Sequence, residues 1–242
     1  LPDFVPGGLL GEYHEGTNFE TLKATRIDSS VNYPYAAGGD TAGNFGAPVN
    51  VNSFSIRWTG GVYVETPGSY TFHVGTDDGR RMWVDGVLIA DEWYGQAVNY
   101  SEITLHLVAG WHPLTLEMYE SGGAAHAYLE WSGPDLPRGM IADDSLGYIA
   151  PKSDGKKPVL DSSDVWFGPQ TTTGNIFLET SELCTATFKL TSKGSVEVIS
   201  FDVPSTVFAL TLPNLPNLKN CADGVFCGAN SKVELILTDL EG

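Results

Sequence analysis

Apolar and polar residues alternate along most of this 242-residue chain in short runs. A representative run is Tyr70-Thr71-Phe72-His73-Val74, in which every second side chain is apolar. This period of two is typical of a half-buried β-strand, and no long stretch has the period of an amphipathic helix. The runs in the first part of the chain are Leu9–Tyr13, Ser53–Trp58, Gly61–Glu65, Ser69–Val74, Arg80–Val84, Val87–Ala90, Glu102–Val108, His112–Glu120 and Ala125–Trp131. Turn residues separate them at the spacing of a β-sandwich, and among these Asp85-Gly86 predicts a two-residue hairpin turn before Val87.

The second part of the chain repeats this pattern. Its runs are Ile176–Leu178, Thr185–Leu190, Val196–Phe201, Val207–Leu212 and Lys232–Leu237. Between the two parts, residues 151–158 are polar, rich in lysine and flanked by prolines, as a linker is. We therefore predict an all-β protein of two tandem β-sandwiches: a domain at 1–150, a linker at 151–158, and a smaller spacer or assembly domain at 159–242.

The chain is strongly acidic. It carries 13 basic and 30 acidic residues, a formal net charge of −17. Electrostatic repulsion then disfavours nucleic acid and anionic membrane surfaces as partners. The longest apolar runs, such as Val207–Leu212, are far too short to span a membrane. The chain begins at Leu1 and holds the sequon Asn99-Tyr100-Ser101, so we interpret it as a piece of a secreted, extracellular protein with Asn99 as a candidate glycosylation site, although such tripeptides also arise by chance.

The stretch Asp77-Asp78-Gly79 lies between two predicted strands and carries the most distinctive chemistry. Two adjacent carboxylates repel each other unless a cation or strong hydrogen-bond donors neutralise them. Oxygen ligands from loop carboxylates are what calcium prefers. The alternative is an ordinary solvated turn, because Asp and Gly are common turn residues.

Several motifs around this pair occur in a recognisable order. They are Gly8-Leu9-Leu10-Gly11-Glu12-Tyr13, Ile56-Arg57-Trp58-Thr59-Gly60, Pro67-Gly68-Ser69-Tyr70-Thr71-Phe72, Asp77-Asp78-Gly79, Trp83-Val84-Asp85-Gly86 and Tyr128-Leu129-Glu130-Trp131. Over about residues 8–149 the chain resembles the lectin-like β-sandwich family named after the anthrax protective antigen, the PA-fourteen family. The second half resembles no family that we recognise.

The resemblance implies a metal site. In that family an Asp-Asp pair is typically joined by a cis peptide bond and holds Ca²⁺ in the sugar-binding members, with further ligands from the loop before the strand that ends at Trp131. Here that loop is residues 120–125, so the candidate ligands are Asp77, Asp78, Glu120 or the hydroxyl of Ser121, and the carbonyls of Gly122 and Ala124. The alternative for this loop is a plain glycine hairpin.

The resemblance also places a specificity loop at residues 91–96. Trp93 and Tyr94 offer aromatic rings for the apolar face of a sugar, and Gln96 and Asp91 offer polar groups. Together with Asp77 and Asp78 they form the predicted carbohydrate site. The alternative is that Trp93 only caps the core.

All three cysteines, Cys184, Cys221 and Cys227, lie in the second domain. A secreted protein favours a disulfide, and three single-bridge pairings are open. Cys221 with Cys227 would close a small loop around Gly224 and leave Cys184 free or paired with another chain.

These features predict a non-enzymatic, calcium-dependent, lectin-like module of a cell-surface adhesin or extracellular structure. Its expected partners are glycans of cell surfaces or the extracellular matrix, and other copies or structural proteins through the second domain. No nucleophile elbow, phosphate-binding loop or dinucleotide-binding loop occurs in the sequence. Two alternatives stay open: a building block of an extracellular filament or coat with calcium as a staple, and an accessory glycan-binding domain of a glycoside hydrolase.

Overall fold

The computed structural model describes residues 3–34, 45, 49, 52–150, 160–167, 173–192, 195–213, 219–222, 225–227 and 231–239. The chain divides into two compact units, Leu1–Ala150 (unit 1) and Pro151–Gly242 (unit 2). Strands make up 72% of the residues and helix 2%, so the all-β class predicted from the alternation is confirmed. The predicted linker at 151–158 lies outside the described residues. Within those residues, no helix combines the length and the apolar character needed to cross a bilayer.

Unit 1 is a sandwich of two antiparallel sheets. Its strands are β1 (Val5–Pro6), β2 (Leu9–Glu15), β3 (Thr21–Asp28), β4 (Asn32–Tyr33), β5 (Phe54–Val64), β6 (Gly68–Asp77), β7 (Arg80–Val84), β8 (Val87–Glu92), β9 (Asn99–Leu107), β10 (Gly110–Glu120), β11 (His126–Gly133), β12 (Leu136–Met140) and β13 (Leu146–Tyr148), with a short 3₁₀ turn at Asp143–Ser145. One sheet has the order β3-β2-β5-β10-β7-β8, with β13 beside β5 and β1 beside β13. The other has the order β12-β11-β6-β9, with β4 beside β11.

The core of unit 1 follows directly from the period of two. On β10, Leu114, Leu116 and Met118 are buried, and the facing sheet contributes the alternate residues Phe72 and Val74 of β6. Successive side chains of a strand point to opposite faces, so each strand gives one apolar row to the space between the sheets. Each large side chain buried in this way contributes about 1.5–3 kcal/mol.

A buried polar cluster joins β2, β3 and β5. Asp28 accepts hydrogen bonds from the Tyr13 hydroxyl at 2.5 Å and from Trp58 Nε1 at 2.7 Å, and it forms an ion pair with Arg26. The Arg26 guanidinium also donates to the hydroxyls of Tyr13 and Tyr33, at 2.6 and 2.7 Å. Burial, followed by the charge of Asp28, raises the pKa of Tyr13 well above its usual range, so Tyr13 stays a neutral donor. One carboxylate therefore satisfies two buried donors, Tyr13 and Trp58, and the partly exposed Arg26.

Unit 2 is also built from antiparallel strands. They are β14 (Leu160–Phe167), β15 (Thr173–Ser192), β16 (Ser195–Pro213), β17 (Lys219–Ala222), β18 (Val225–Cys227) and β19 (Ser231–Asp239). β15 pairs with β16 along its length, with β14 through its first half and with β19 through its second half. Phe188, Phe208 and Val233 are buried in its core, and the Phe201 ring packs against both phenylalanines.

Cys184 is fully buried in that core, with its Sγ 3.7 Å from Thr180 Oγ1. The side chains of Cys221 and Cys227 lie outside the described residues. Their predicted disulfide therefore stays a prediction.

Two features of unit 1 differ from the pattern-based expectation. The runs Ser53–Trp58 and Gly61–Glu65 form one strand, β5, because Gly60 lets the backbone of Gly147 approach: a Cβ at Gly60 would lie 2.1 Å from that carbonyl oxygen. The alternation also does not predict β3, which has no clear period of two, or the short strands β1, β4, β12 and β13. The predicted hairpin turn at Asp85-Gly86 is present, with φ of 51° and 75°, as a type I′ turn requires.

We expect Asp28→Asn to lower the free energy of unfolding of unit 1 by about 3 kcal/mol, because the Arg26 charge loses its partner and buried donors lose an acceptor. Urea titration monitored by tryptophan fluorescence measures this. Asp91→Asn, at an exposed carboxylate, is the matched control and should change stability by no more than about 0.5 kcal/mol. Equal stability of the two variants would show that the Asp28 cluster does not stabilise the fold.

Candidate functional site

Three carboxylates meet at one end of the unit 1 sandwich. Asp77 ends β6, Asp78 follows it, and Glu120 ends β10, and one oxygen of each lies within 4.8 Å of the others. Glu120 continues the inward row of Leu114, Leu116 and Met118, which is why its side chain is 0% exposed. The Asp77–Asp78 peptide bond is cis, as the resemblance implied. The sequence-based prediction named all three residues, and the structure brings them together.

Asp78 is held firmly by its neighbours. Its Oδ1 accepts from the backbone N–H of Gln96 at 2.9 Å, and its Oδ2 accepts from the backbone N–H and the hydroxyl of Ser121 at 2.8 and 2.6 Å. The Gln96 side-chain amide donates to the Asp78 carbonyl at 3.1 Å. Ser121 and Gln96 therefore position the carboxylate that lies between them.

One carboxylate oxygen of Glu120 has no hydrogen-bond donor among the described residues. Its Oε1 accepts from the backbone N–H of Gly122 at 2.6 Å, but its Oε2 is buried without a hydrogen-bond partner among the described residues. Burial, and then the charges of Asp78 and Asp77, raise the pKa of Glu120 to about 7. Burial and the charge of Asp78 also raise the pKa of Asp77.

An ion with oxygen-seeking chemistry fits these residues. The donor set is three carboxylates, and the orphaned Oε2 of Glu120 is a buried acceptor that a cation would satisfy. The carbonyls of Gly122 and Ala124 stay predicted ligands. Ca²⁺ itself stays a prediction, since none of the comparisons below concerns a metal.

Arg80 is the residue that sequence analysis missed. Its guanidinium is fully buried, and its Nη1 donates to the Asn99 carbonyl at 3.0 Å and to Thr76 Oγ1 at 3.3 Å. Thr76 Oγ1 in turn donates to the Asp78 carbonyl at 3.0 Å. Burial lowers the pKa of Arg80, while an ion pair with Glu92 at 3.3 Å opposes that shift. The burial could have been found from the sequence, because Arg80 begins the inward row of Met82 and Val84.

The predicted aromatic platform is only partly available. The Trp93 ring packs on the Phe19 ring, on Tyr119 and under the guanidinium of Arg81, with separations of 5.8, 4.8 and 4.1 Å. Trp93 therefore covers the outer face of a sheet, whereas Tyr94 is 54% exposed and free to contact a ligand. Asn99, the candidate glycosylation residue, is exposed at the start of β9, and its modification stays a prediction.

Comparison with known proteins changes the functional interpretation. Residues 6–144 match the model of the PA14 domain family. A curated relative, Anti-sigma-I factor RsgI3 from Acetivibrio thermocellus, is 33% identical over 155 residues, which make up 64% of this chain and 23% of the relative. The chain thus spans about a quarter of that relative's length.

Solved structures show the same fold, two of them over nearly the whole chain. An anti-sigma factor domain-containing protein matches with a TM-score of 0.54 at 19% identity, covering 97% of this chain and 94% of its own. A similar protein from Clostridium clariflavum has a TM-score of 0.52 at 18% identity, covering 96% and 90%. The PA14 domain of the MpAFP antifreeze protein has a TM-score of 0.50 at 20% identity, covering 63% and 97%.

The prediction of a lectin-like adhesin module is therefore wrong, as are its filament and glycoside-hydrolase alternatives. The curated relative and the first two structural matches carry the name of a regulator of transcription, an anti-sigma factor. The predicted partners, glycans of cell surfaces or matrix, are corrected by the same finding. The resemblance gave the fold correctly, but one fold serves many functions.

We expect Glu120→Gln to change the pH dependence of stability in chelator. The folded-state pKa of Glu120 is raised, so the folded chain is penalised for its charge above pH 7, and the penalty disappears as the pH falls from about 7 to about 4.5. The full effect is about 3 kcal/mol. Urea titrations across this range should show the wild type gaining stability, relative to Glu120→Gln, as the pH falls. A parallel pair of profiles would contradict the assignment, and Asp91→Asn should follow the wild type.

Proposed function

This chain belongs to the PA14 domain family, and on that premise we propose that it is the signal-receiving part of an anti-sigma-factor-type regulator. The observation that carries the proposal is the 33% identity over 155 residues with Anti-sigma-I factor RsgI3. By its name, that relative acts against a sigma factor, so a sigma factor is the proposed target of the whole regulator. In this proposal the sigma factor contacts another part of the regulator.

The geometry of unit 1 supports a receiving role. Asp77, Asp78 and Glu120 form a preformed, oxygen-rich site between two loops at one end of a rigid sandwich. Sites of this kind, on loops positioned by a scaffold, are where proteins usually bind ligands. We propose that Ca²⁺ occupies the site and that, when bound, it supplies an electrophilic centre for ligand oxygens.

We propose an extracellular carbohydrate as the signal, detected by the regulator and not held as an adhesion target. Calcium accepts six to eight oxygens, so three carboxylates leave positions for ligand hydroxyls. Tyr94 beside the site offers an exposed ring. No catalytic step is part of the proposal, because both Asp78 oxygens are engaged in holding the site together.

We expect the chain, after treatment with chelator, to bind one Ca²⁺ in calorimetry and to melt at a higher temperature when the ion is added. An ion that binds only the folded state stabilises it by about 2.7 kcal/mol at one hundred times its dissociation constant. Asp77→Asn removes one ligand charge but leaves the hydrogen bonds of Asp78 intact, so calcium affinity should fall on the order of tenfold or more. Asp91→Asn should bind like the wild type. The calcium assignment fails if the wild type gives neither heat nor a melting shift.

The signalling role is tested in the full-length protein with a reporter of sigma-factor activity. We expect a polysaccharide panel to contain an inducer, and we expect Asp77→Asn to reduce that induction while Glu197→Gln, at an exposed position in unit 2, retains it. Deletion of residues 1–150 should abolish the response. The proposal fails if the deletion leaves the response to the inducer unchanged. If the wild type binds calcium but Asp77→Asn signals like the wild type, only the role of calcium in detecting the signal is rejected.

A further inference from the structure

A second concave site lies in unit 1, at the end of the sandwich opposite the three carboxylates. It is a cleft of about 520 Å³, which is the size of a pocket for a small molecule. β6 begins beside it and runs to Asp77 at the other end, and β11 runs back from His126, opposite Asp77, to the cleft. The two sites therefore share strands but no residues.

Aromatic rings form the apolar wall of the cleft. Tyr70 and Trp131 lie with their ring centroids 5.0 Å apart, and the Tyr70 hydroxyl donates to the Thr66 carbonyl at 2.9 Å, which fixes the ring. Tyr63 adds a ring that is 41% exposed and packs on Trp111. The side chain of Trp131 is only 6% exposed, so the exposed ring of Tyr63 offers most of the aromatic surface to a ligand.

Carboxylates form the polar wall. Glu65, Asp135 and Asp144 line the cleft, and none of them forms an ion pair with a described residue. No lysine, arginine or histidine is among the described residues of the lining. Three negative charges in a concavity of a strongly acidic chain attract and concentrate cations. An ammonium group is also attracted by the faces of neighbouring aromatic rings.

We propose that this cleft binds a small aliphatic ammonium compound. The ammonium group lies among Glu65, Asp135 and Asp144, and the methylene chain packs on the exposed ring of Tyr63. This inference does not depend on calcium or on the proposed signalling role, because the cleft contains no residue of the metal site.

Calorimetry on the whole chain in saturating calcium tests the proposal with two matched probes. These are 5-amino-1-pentanol and 1,5-pentanediol, which differ only in the ammonium group. We expect saturable one-to-one binding of the amino alcohol and much weaker binding of the diol. Because exposed ion pairs are individually modest, removing two of them should weaken amino alcohol binding by about fivefold to thirtyfold.

The variant for this test is Glu65→Gln with Asp135→Asn. Its matched control is Asp91→Asn with Glu197→Gln, which removes the same charge at exposed positions elsewhere. A further variant, Asp77→Asn, alters the metal site and tests whether binding in the cleft is independent of it. The control and Asp77→Asn should bind the amino alcohol like the wild type. Equal binding by the cleft variant and the wild type would overturn the proposal, as would equal binding of the two probes or no binding by the wild type.

A second measurement needs no variant and holds even if the cleft variant fails to fold. Added sodium chloride should weaken amino alcohol binding to the wild type and leave diol binding unchanged. Salt-independent binding of the amino alcohol would also overturn the proposal.

Discussion

Three carboxylates repel one another at the end of the apolar core of unit 1. The arrangement of the residues around the metal site depends on how this repulsion is compensated. Asp77, Asp78 and Glu120 approach within 4.8 Å, and Glu120 is removed from water entirely. Such an arrangement is costly unless donors or a cation compensate for it. The surrounding structure supplies part of that compensation, through Ser121, Gln96 and Gly122. Oε2 of Glu120 has no hydrogen-bond partner among the described residues, so its charge is left for a bound ion to compensate.

Arg80 explains how this end stays ordered. Its buried guanidinium links the Asn99 carbonyl of β9 to Thr76 of β6, and Ser101 Oγ accepts a further bond from its Nη2 at 2.6 Å. Its positive charge is paired with Glu92 of β8. The loops that carry Asp78 and Gln96 are thereby attached to both sheets of the sandwich.

The sequence was informative where a local pattern decides the structure. Alternation predicted most of the strands, the Asp85-Gly86 turn followed from its residue types, and the carboxylate pair and Glu120 were found together. Positions decided by distant contacts could not be found in this way. Trp93 packs on Phe19, which is far from it in the chain, and Gln96 holds Asp78 where a ligand contact was expected. Function was the least predictable level, because the fold is shared by proteins with different roles.

β6 connects the two sites of unit 1. It is a single uninterrupted strand that carries Tyr70 of the cleft near its start and Asp77 of the metal site at its end. At about 3.3 Å per residue these two positions are roughly 23 Å apart. The Debye length at physiological ionic strength is about 8 Å, so the charge of an ion bound at one end of β6 is largely screened from the cleft at the other end. The two sites can therefore be occupied independently of each other.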